Sequence, residues 1–219
     1  MFKKTIILLS GGLDSLVSLG ISKEEYNIKL ALTFDYGQKS ALQETKTSKK
    51  ICEYYKIEHK VIELPFLKEI TNTALVNGDI PTNNIGTKES AKAVWVPNRN
   101  GLFLNIAGSI ADAEDYTHII FGANKEEGAT FPDNTPEFVS GINESFKYST
   151  MNGVKVIAPL INYNKDDIVK IALDTGIPLE LAYSCYNNGE RNCGMCESCQ
   201  HLKKALLNNG ANNYIERLF

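Results

Sequence analysis

The stretch LLSGGLDSLVS, Leu8 to Ser18, constrains the fold more than any other part of the chain. An apolar run of strand length ends at Ser10-Gly11-Gly12, and the apolar pattern restarts behind Asp14-Ser15 with Leu13, Leu16, Val17 and Ile21 roughly on one helical face. A buried strand that turns directly into a helix is the first half of a βαβ unit. Glycines at the junction permit positive φ and let backbone N–H groups approach a ligand. The helix N-terminus adds unpaired donors and about half an elementary positive charge. Together these features make an anion cradle, most naturally for phosphates. A plain strand-to-helix turn capped by Ser10 or Asp14 is the alternative. The string contains neither the G-x-x-x-x-G-K-[ST] loop nor the G-x-G-x-x-G dinucleotide fingerprint.

The rest of the chain repeats the alternation. Strand-length apolar runs occur at 5–10, 28–35, 59–64, 117–123 and 154–160. Helical patterns lie between or after them, starting near Asp14 and over 42–56 (Ile51 and Tyr54 on the apolar side), 101–115 (Phe103, Ile106, Ala107, Ile110), 135–149 and 164–176, the last ended by Gly176. This order predicts an α/β domain with an open parallel sheet and helices on both faces. Ligands gather at the carboxyl ends of the strands in that architecture, so the loops at Ser10, Asp35, Gly122 and Pro159 are expected around one crevice. Residues 1–180 are expected to form this domain and 181–219 a separate C-terminal segment packed on it. Between Pro65 and Asn100, with breakers Gly78, Pro81, Gly86 and Pro97, the chain reads as one long irregular segment, a kind that is more often functional than a plain connector.

The chain has 43% hydrophobic and 22% charged residues, ordinary for a soluble protein. No apolar run approaches the roughly 20 residues that span a bilayer. The N-terminal apolar run Ile6–Leu9 is far shorter than a signal peptide's core. A cytoplasmic protein with no membrane partner is expected. The net charge of −3 argues against a nucleic-acid partner, and Lys46–Lys50, beside Glu44 and Glu53, reads as a solvated helix face.

Near the end, SCYNNGERNCGMCESCQ sets Cys185, Cys193, Cys196 and Cys199 in a C-x7-C-x2-C-x2-C array. Clustered cysteines in a cytosolic chain read as metal ligands before disulfides. Four thiolates suit one structural Zn²⁺ with no position left for a reacting water. An iron–sulfur cluster also uses four cysteines, and a catalytic C-x-x-C of a tRNA thiolase would break the set. Cys52 stands apart and reads as a buried core thiol.

The string SGGLDS after IILL resembles the PP-loop, S-G-G-x-D-S, of ATP pyrophosphatases. With TFDYGQK, VPNRN and SCYNNGERNCGMCESC in the same order, nearly the whole chain resembles the 7-cyano-7-deazaguanine synthase family, the nitrile-forming enzymes of the queuosine pathway. The resemblance implies a Rossmann-like PP-loop (HUP) fold with a C-terminal zinc site, a homodimer, and ATP with Mg²⁺ as co-substrate. Leu9, Ser10, Gly11, Gly12, Leu13, Asp14, Ser15, Leu16 and Lys165 would then bind ATP. It also implies adenylation of 7-carboxy-7-deazaguanine, attack by free ammonia and a second adenylation. A related PP-loop ligase, a tRNA-modifying enzyme, or a non-catalytic zinc- and nucleotide-binding module are the other readings. In VPNRN, Pro97 stiffens the loop, Asn98 or Asn100 can cap the next helix, and Arg99 offers a planar fork for carboxylate or phosphate, or a surface salt bridge. Family members read roughly G-x-N-x-x-D-Y-S-G-Y-P-D-C-R-P-E-F after the fourth strand. Here GANKEEGATFPDNTPEF keeps Gly122, Asn124, Pro132, Asp133, Pro136, Glu137 and Phe138 but replaces the rest with Gly128–Phe131 and Asn134-Thr135. Asn124, Phe131, Asp133 and Glu137 are the candidate contacts to the deazapurine, Phe131 by stacking.

Overall fold

The computed structural model describes residues 3–82 and 88–219. Five parallel strands form one sheet in the order β3-β2-β1-β4-β5: β1 (Lys3–Leu8), β2 (Tyr26–Asp35), β3 (Glu58–Glu63), β4 (His118–Ile120) and β5 (Lys155–Ile157). The chain winds outward from β1 to β3, then crosses back to β4 on the other side of β1. Strand order therefore reverses between β1 and β4, which opens a crevice beyond their carboxyl ends.

The helices cover both faces. Period-two alternation divides β1, β2 and β4 between two apolar cores. Ile7, Ala31 and Ile120 face one core, with α1 (Leu13–Ser22), α2 (Ala41–Tyr55) and α8 (Lys165–Thr175). Ile6, Leu30, Leu32 and Ile119 face the other, with α5 (Arg99–Ala113) and α7 (Pro136–Ser149). The first core also takes in Leu202, Ala205 and Leu206 of α9 (Glu197–Asn208), and Leu218 of α10 (Asn212–Leu218). Cys52 sits in this core, and burial pushes its thiol up to about 12, as a core thiol should behave.

Several local expectations change. Tyr54 is exposed, and α2 buries Gln43, Ser48, Ile51 and Cys52 instead. In α5 the fully buried positions are Leu104, Ala107 and Ala111, one step round from Phe103, Ile106 and Ile110, which pack at the core's margin. The segment from Pro65 to Asn100 contains two short helices, α3 (Phe66–Ile70) and α4 (Lys88–Val94), and Leu67, Leu75, Val94 and Val96 anchor it in the second core. Scattered apolar anchors of this kind have no period for a sequence reading to detect. Gly86 lies outside the described residues. No helix among the described residues is long and apolar enough to cross a membrane.

Candidate active site

A cavity of about 300 Å³ lies beyond the carboxyl ends of β1, β2 and β4. Its wall at one end is the glycine turn. Gly11 has φ +78°, and a Cβ there would meet Thr47 Cγ2 at 2.8 Å, so both conformation and space require glycine. Gly12 occupies the N-cap of α1 in extended conformation, so the alternative of a plain turn capped by Ser10 or Asp14 does not hold. The Gly12 N–H donates to Ser10 Oγ at 3.4 Å, and the Leu13 N–H to Ser184 Oγ at 3.3 Å. Ser15 Oγ donates to the Gly12 carbonyl at 3.0 Å. Long bonds to hydroxyls are what an anion can displace.

Lys165, the first residue of α8, reaches this turn. Its ammonium pairs with Asp14 and, at 3.1 Å, with Glu127 Oε1. Burial works against the Lys165 charge, but Asp14 and Glu127 together raise its pKa well above the ordinary lysine range. Burial also raises the Asp14 carboxyl, with Lys165 opposing and Glu127 adding to the rise. For Glu127, Lys165 and the hydrogen bond at Asn124 outweigh burial and hold its carboxyl below the usual range. Asp14 Oδ1 is buried with no hydrogen-bond partner among the described residues. Such an oxygen is costly to leave unpaired, and it fits a divalent cation carried in with phosphates.

The other end is aromatic and amide-rich. Phe34 stacks on Phe103 at 4.1 Å, and Trp95 on Phe131 at 5.6 Å with the rings within 8° of parallel. Between the ends lies Arg99, whose Nη1 donates to Tyr36 Oη at 3.2 Å. Burial opposes its charge, but Tyr36, Asp133 and Glu127 together keep the guanidinium firmly protonated. Glu44 also lines the cavity and accepts from Ser40 Oγ at 2.6 Å and Gln38 Nε2 at 3.0 Å. Asp133 is buried and accepts from the Asn100 N–H at 3.3 Å and from Asn134 Nδ2 at 3.0 Å. Burial raises its carboxyl, with Arg99 pulling the other way.

The structure thus brings Leu9, Ser10, Gly12, Leu13, Asp14, Ser15, Lys165, Arg99, Phe131 and Asp133 to one cavity. Gly11 lies behind the turn, and Leu16 is wholly buried in the core. Asn124 is fully buried and its Oδ1 accepts from the Glu127 N–H at 3.0 Å, which caps α6 (Lys125–Gly128) and aims Glu127 at Lys165. Asn98 is exposed with φ 53° at the N-cap of α5, where its side chain makes no capping bond, while Asn100 bonds to the Asp133 carbonyl at 3.2 Å. Glu137 is exposed and outside the cavity, because α7 turns its first residues to solvent. Glu127, Tyr36, Glu44, Trp95 and Ser184 line the cavity without having been singled out from sequence. Glu127 had a signal in the capping pattern Asn124-x-x-Glu127, and Tyr36 and Ser184 lay in the strings TFDYGQK and SCYNNGERNCGMCESC without being picked out.

Cys185, Cys193, Cys196 and Cys199 converge, their Sγ atoms all within 4.8 Å of one another. The Cys193 and Asn187 N–H groups donate to Cys185 Sγ, and those of Met195 and Cys196 to Cys193 Sγ, each at 3.4 Å. Backbone donors aimed at sulfur stabilise thiolates, so the donor set fits a metal ion. The cluster touches the cavity directly. Cys185 lines it, the Tyr183 N–H donates to the Gly11 carbonyl at 2.8 Å, and Ser184 holds Leu13.

A doubly wound parallel sheet with a Ser-Gly-Gly-x-Asp-Ser turn at its switch point and a largely buried lysine facing it is the α/β PP-loop fold, here with a four-cysteine cluster beside it. The chain belongs to the family described as "Queuosine biosynthesis protein QueC", whose model matches residues 4–210. It is 47% identical to the 7-cyano-7-deazaguanine synthase of Methanosarcina barkeri, over 98% of this chain and 99% of that one. It is 49% identical to the 7-cyano-7-deazaguanine synthase of Carboxydothermus hydrogenoformans, over 93% of this chain and 98% of that one. Among solved structures it is similar to an NH3-dependent NAD synthetase from Campylobacter jejuni, with TM-score 0.46 and 17% identity, over 81% of this chain and 66% of that one.

Proposed function

We propose that this chain makes 7-cyano-7-deazaguanine from 7-carboxy-7-deazaguanine, ammonia and ATP. One observation carries the reading in a chain of this family: a single cavity joins the Ser10–Ser15 turn and Lys165 to an aromatic wall, with Arg99 between them. A carboxylate resists attack because its leaving oxygen is too basic. Transfer of AMP from ATP to that oxygen releases pyrophosphate and creates a good leaving group. Ammonia then attacks the carbonyl carbon, and AMP departs to leave the amide. A second ATP adenylates the amide oxygen, and loss of AMP and the nitrogen-bound protons leaves the nitrile.

On this reading the protein's share is positioning and charge stabilisation. The turn takes the phosphates, displacing the weak bonds to Ser10 and Ser184. Lys165, paired with Asp14 and Glu127, would turn its ammonium to them, and Asp14 would hold the Mg²⁺ that shields their charge. Arg99 orients the acid and steadies charge developing on its oxygen. Asp133, with Asn100 and Asn134, meets the polar edge of the base. The four cysteines hold zinc, which fixes the segment behind the turn and enters no step, and residues 181–219 complete the nucleotide site of the 1–180 domain. The family resemblance and the acidic net charge support a cytoplasmic homodimer that acts on the free base rather than on nucleic acid.

The test is mass spectrometry of the purified, zinc-loaded protein with the acid, MgATP and ammonium, beside an Asp14→Asn control. Nitrile and AMP are expected, absent in the control. AMP release with a different carboxylated base, and none with this one, would overturn the substrate.

A further inference from the structure

Trp95 follows α4 and Phe131 precedes a 3-10 turn at Pro132–Asn134, so two separate segments deliver one pair of rings to the cavity. The rings lie within 8° of parallel with centroids 5.6 Å apart. That is an offset stack, in which each ring leaves part of a face uncovered. Both side chains are only half-buried, although each belongs to a residue type that seeks the core. The Phe34–Phe103 pair differs, since Phe34 is buried and its ring lies against Phe103 at 4.1 Å.

Two planar ligands enter this reaction, adenine and the deazapurine. The loop that carries Phe131 also carries Glu127, the partner of Lys165, and the Phe131 N–H donates to the Glu127 carbonyl at 2.7 Å. Trp95 stands four residues before Arg99, and Asp133 two after Phe131. The acid must reach both Arg99 and the phosphate end with its own carboxylate. The Trp95–Phe131 step lines the same cavity as Arg99, Asp133 and Lys165.

Resting on the function proposed above, we propose that Trp95 and Phe131, already stacked on each other, form the platform of the deazapurine, that adenine does not use it, and that it takes the acid without nucleotide. Trp95 is the chain's one tryptophan, so its emission reports the platform alone. Titration of the zinc-loaded protein with 7-carboxy-7-deazaguanine, without nucleotide, should quench that emission saturably, and MgATP alone should leave it unchanged. Phe131→Leu should weaken binding of the acid by about tenfold, the scale of one lost base–aromatic stack, with ATP affinity kept. Phe131→Tyr, which restores a ring, should recover it and so separate loss of stacking from loss of fold. Quenching by MgATP and not by the acid overturns the proposal, as does equal affinity for the acid in Phe131→Leu and the unaltered protein. If the acid fails to quench, the platform is wrong. The nitrile assay then decides the wider reading separately, because nitrile formation would leave the function standing without this platform.

Discussion

At the glycine-turn end of the cavity stand backbone N–H groups, Gly11 and Gly122 where a Cβ would clash, and a lysine clamped by two carboxylates. At the aromatic end stand side chains only: two ring faces, two carboxamides, and one carboxyl held by Asn100 and Asn134. Backbone geometry cannot drift without rebuilding the fold, whereas a wall of side chains changes one substitution at a time. The second end is also where the sequence departs from the family's usual string, over Gly128–Phe131 and Asn134-Thr135. On the function proposed above, the chemistry is anchored in the part that cannot change, and substrate choice in the part that can.

The sharpest way to break this division is Lys165→Met. Without the ammonium, turnover should fall by about 10²- to 10³-fold, as when a preorganised donor to developing charge is removed. Affinity for the acid alone should hold, as calorimetry would show; a matching loss there would mean that the two ends are one site. Gly122→Ala comes next. A Cβ at Gly122 would lie 2.9 Å from the Ser15 nitrogen and 3.0 Å from the Asp14 carbonyl carbon, backbone that must give way. Overpacking of this kind costs about 1–3 kcal/mol, and the KM for ATP should rise about tenfold while that for the acid holds.

Asp133→Asn addresses the other end, where trading an ionised acceptor for a neutral one costs about 1 kcal/mol. The KM for the acid should rise several-fold and the KM for ATP should hold. Because burial raises the Asp133 carboxyl above the ordinary aspartate value, falling pH protonates it earlier than a free aspartate. Affinity of the unaltered protein for the acid should therefore be level at neutral pH and decline on acidification before the usual carboxylate range is reached. The asparagine variant should lack that limb. The smallest effect is expected of Asn164→Ala, which removes the capping box ahead of Lys165. About 1 kcal/mol of stability should go, a fall in Tm of about 2–4 °C, with both affinities nearly kept because the ion pairs hold the lysine as well.

These ends also differed in how far they could be read from sequence. The glycine turn, the alternation of strands and helices and the cysteine spacing are local patterns, and local geometry follows from them. The Asp14–Lys165 pair spans 151 positions, and no spacing rule announces it; the lysine was legible only through the family resemblance. Trp95 was hidden for another reason. It ends a segment whose apolar anchors have no period, so it read as part of an irregular connector. Glu137 was misplaced because a matched letter does not say which side of a helix it faces.

One bond bears on how such a chain comes into being. The Leu13 N–H meets Ser184 across 171 positions, and Gly11 is held by the residue before Ser184. A nascent chain can wind its first βαβ units as they leave the ribosome, because those contacts are close in sequence. Its glycine turn lacks these two bonds until the cysteine segment has been made. Ordering of the turn is then one of the last events of folding, and a chain cut short before Tyr183 would carry a sheet without a finished place for ATP.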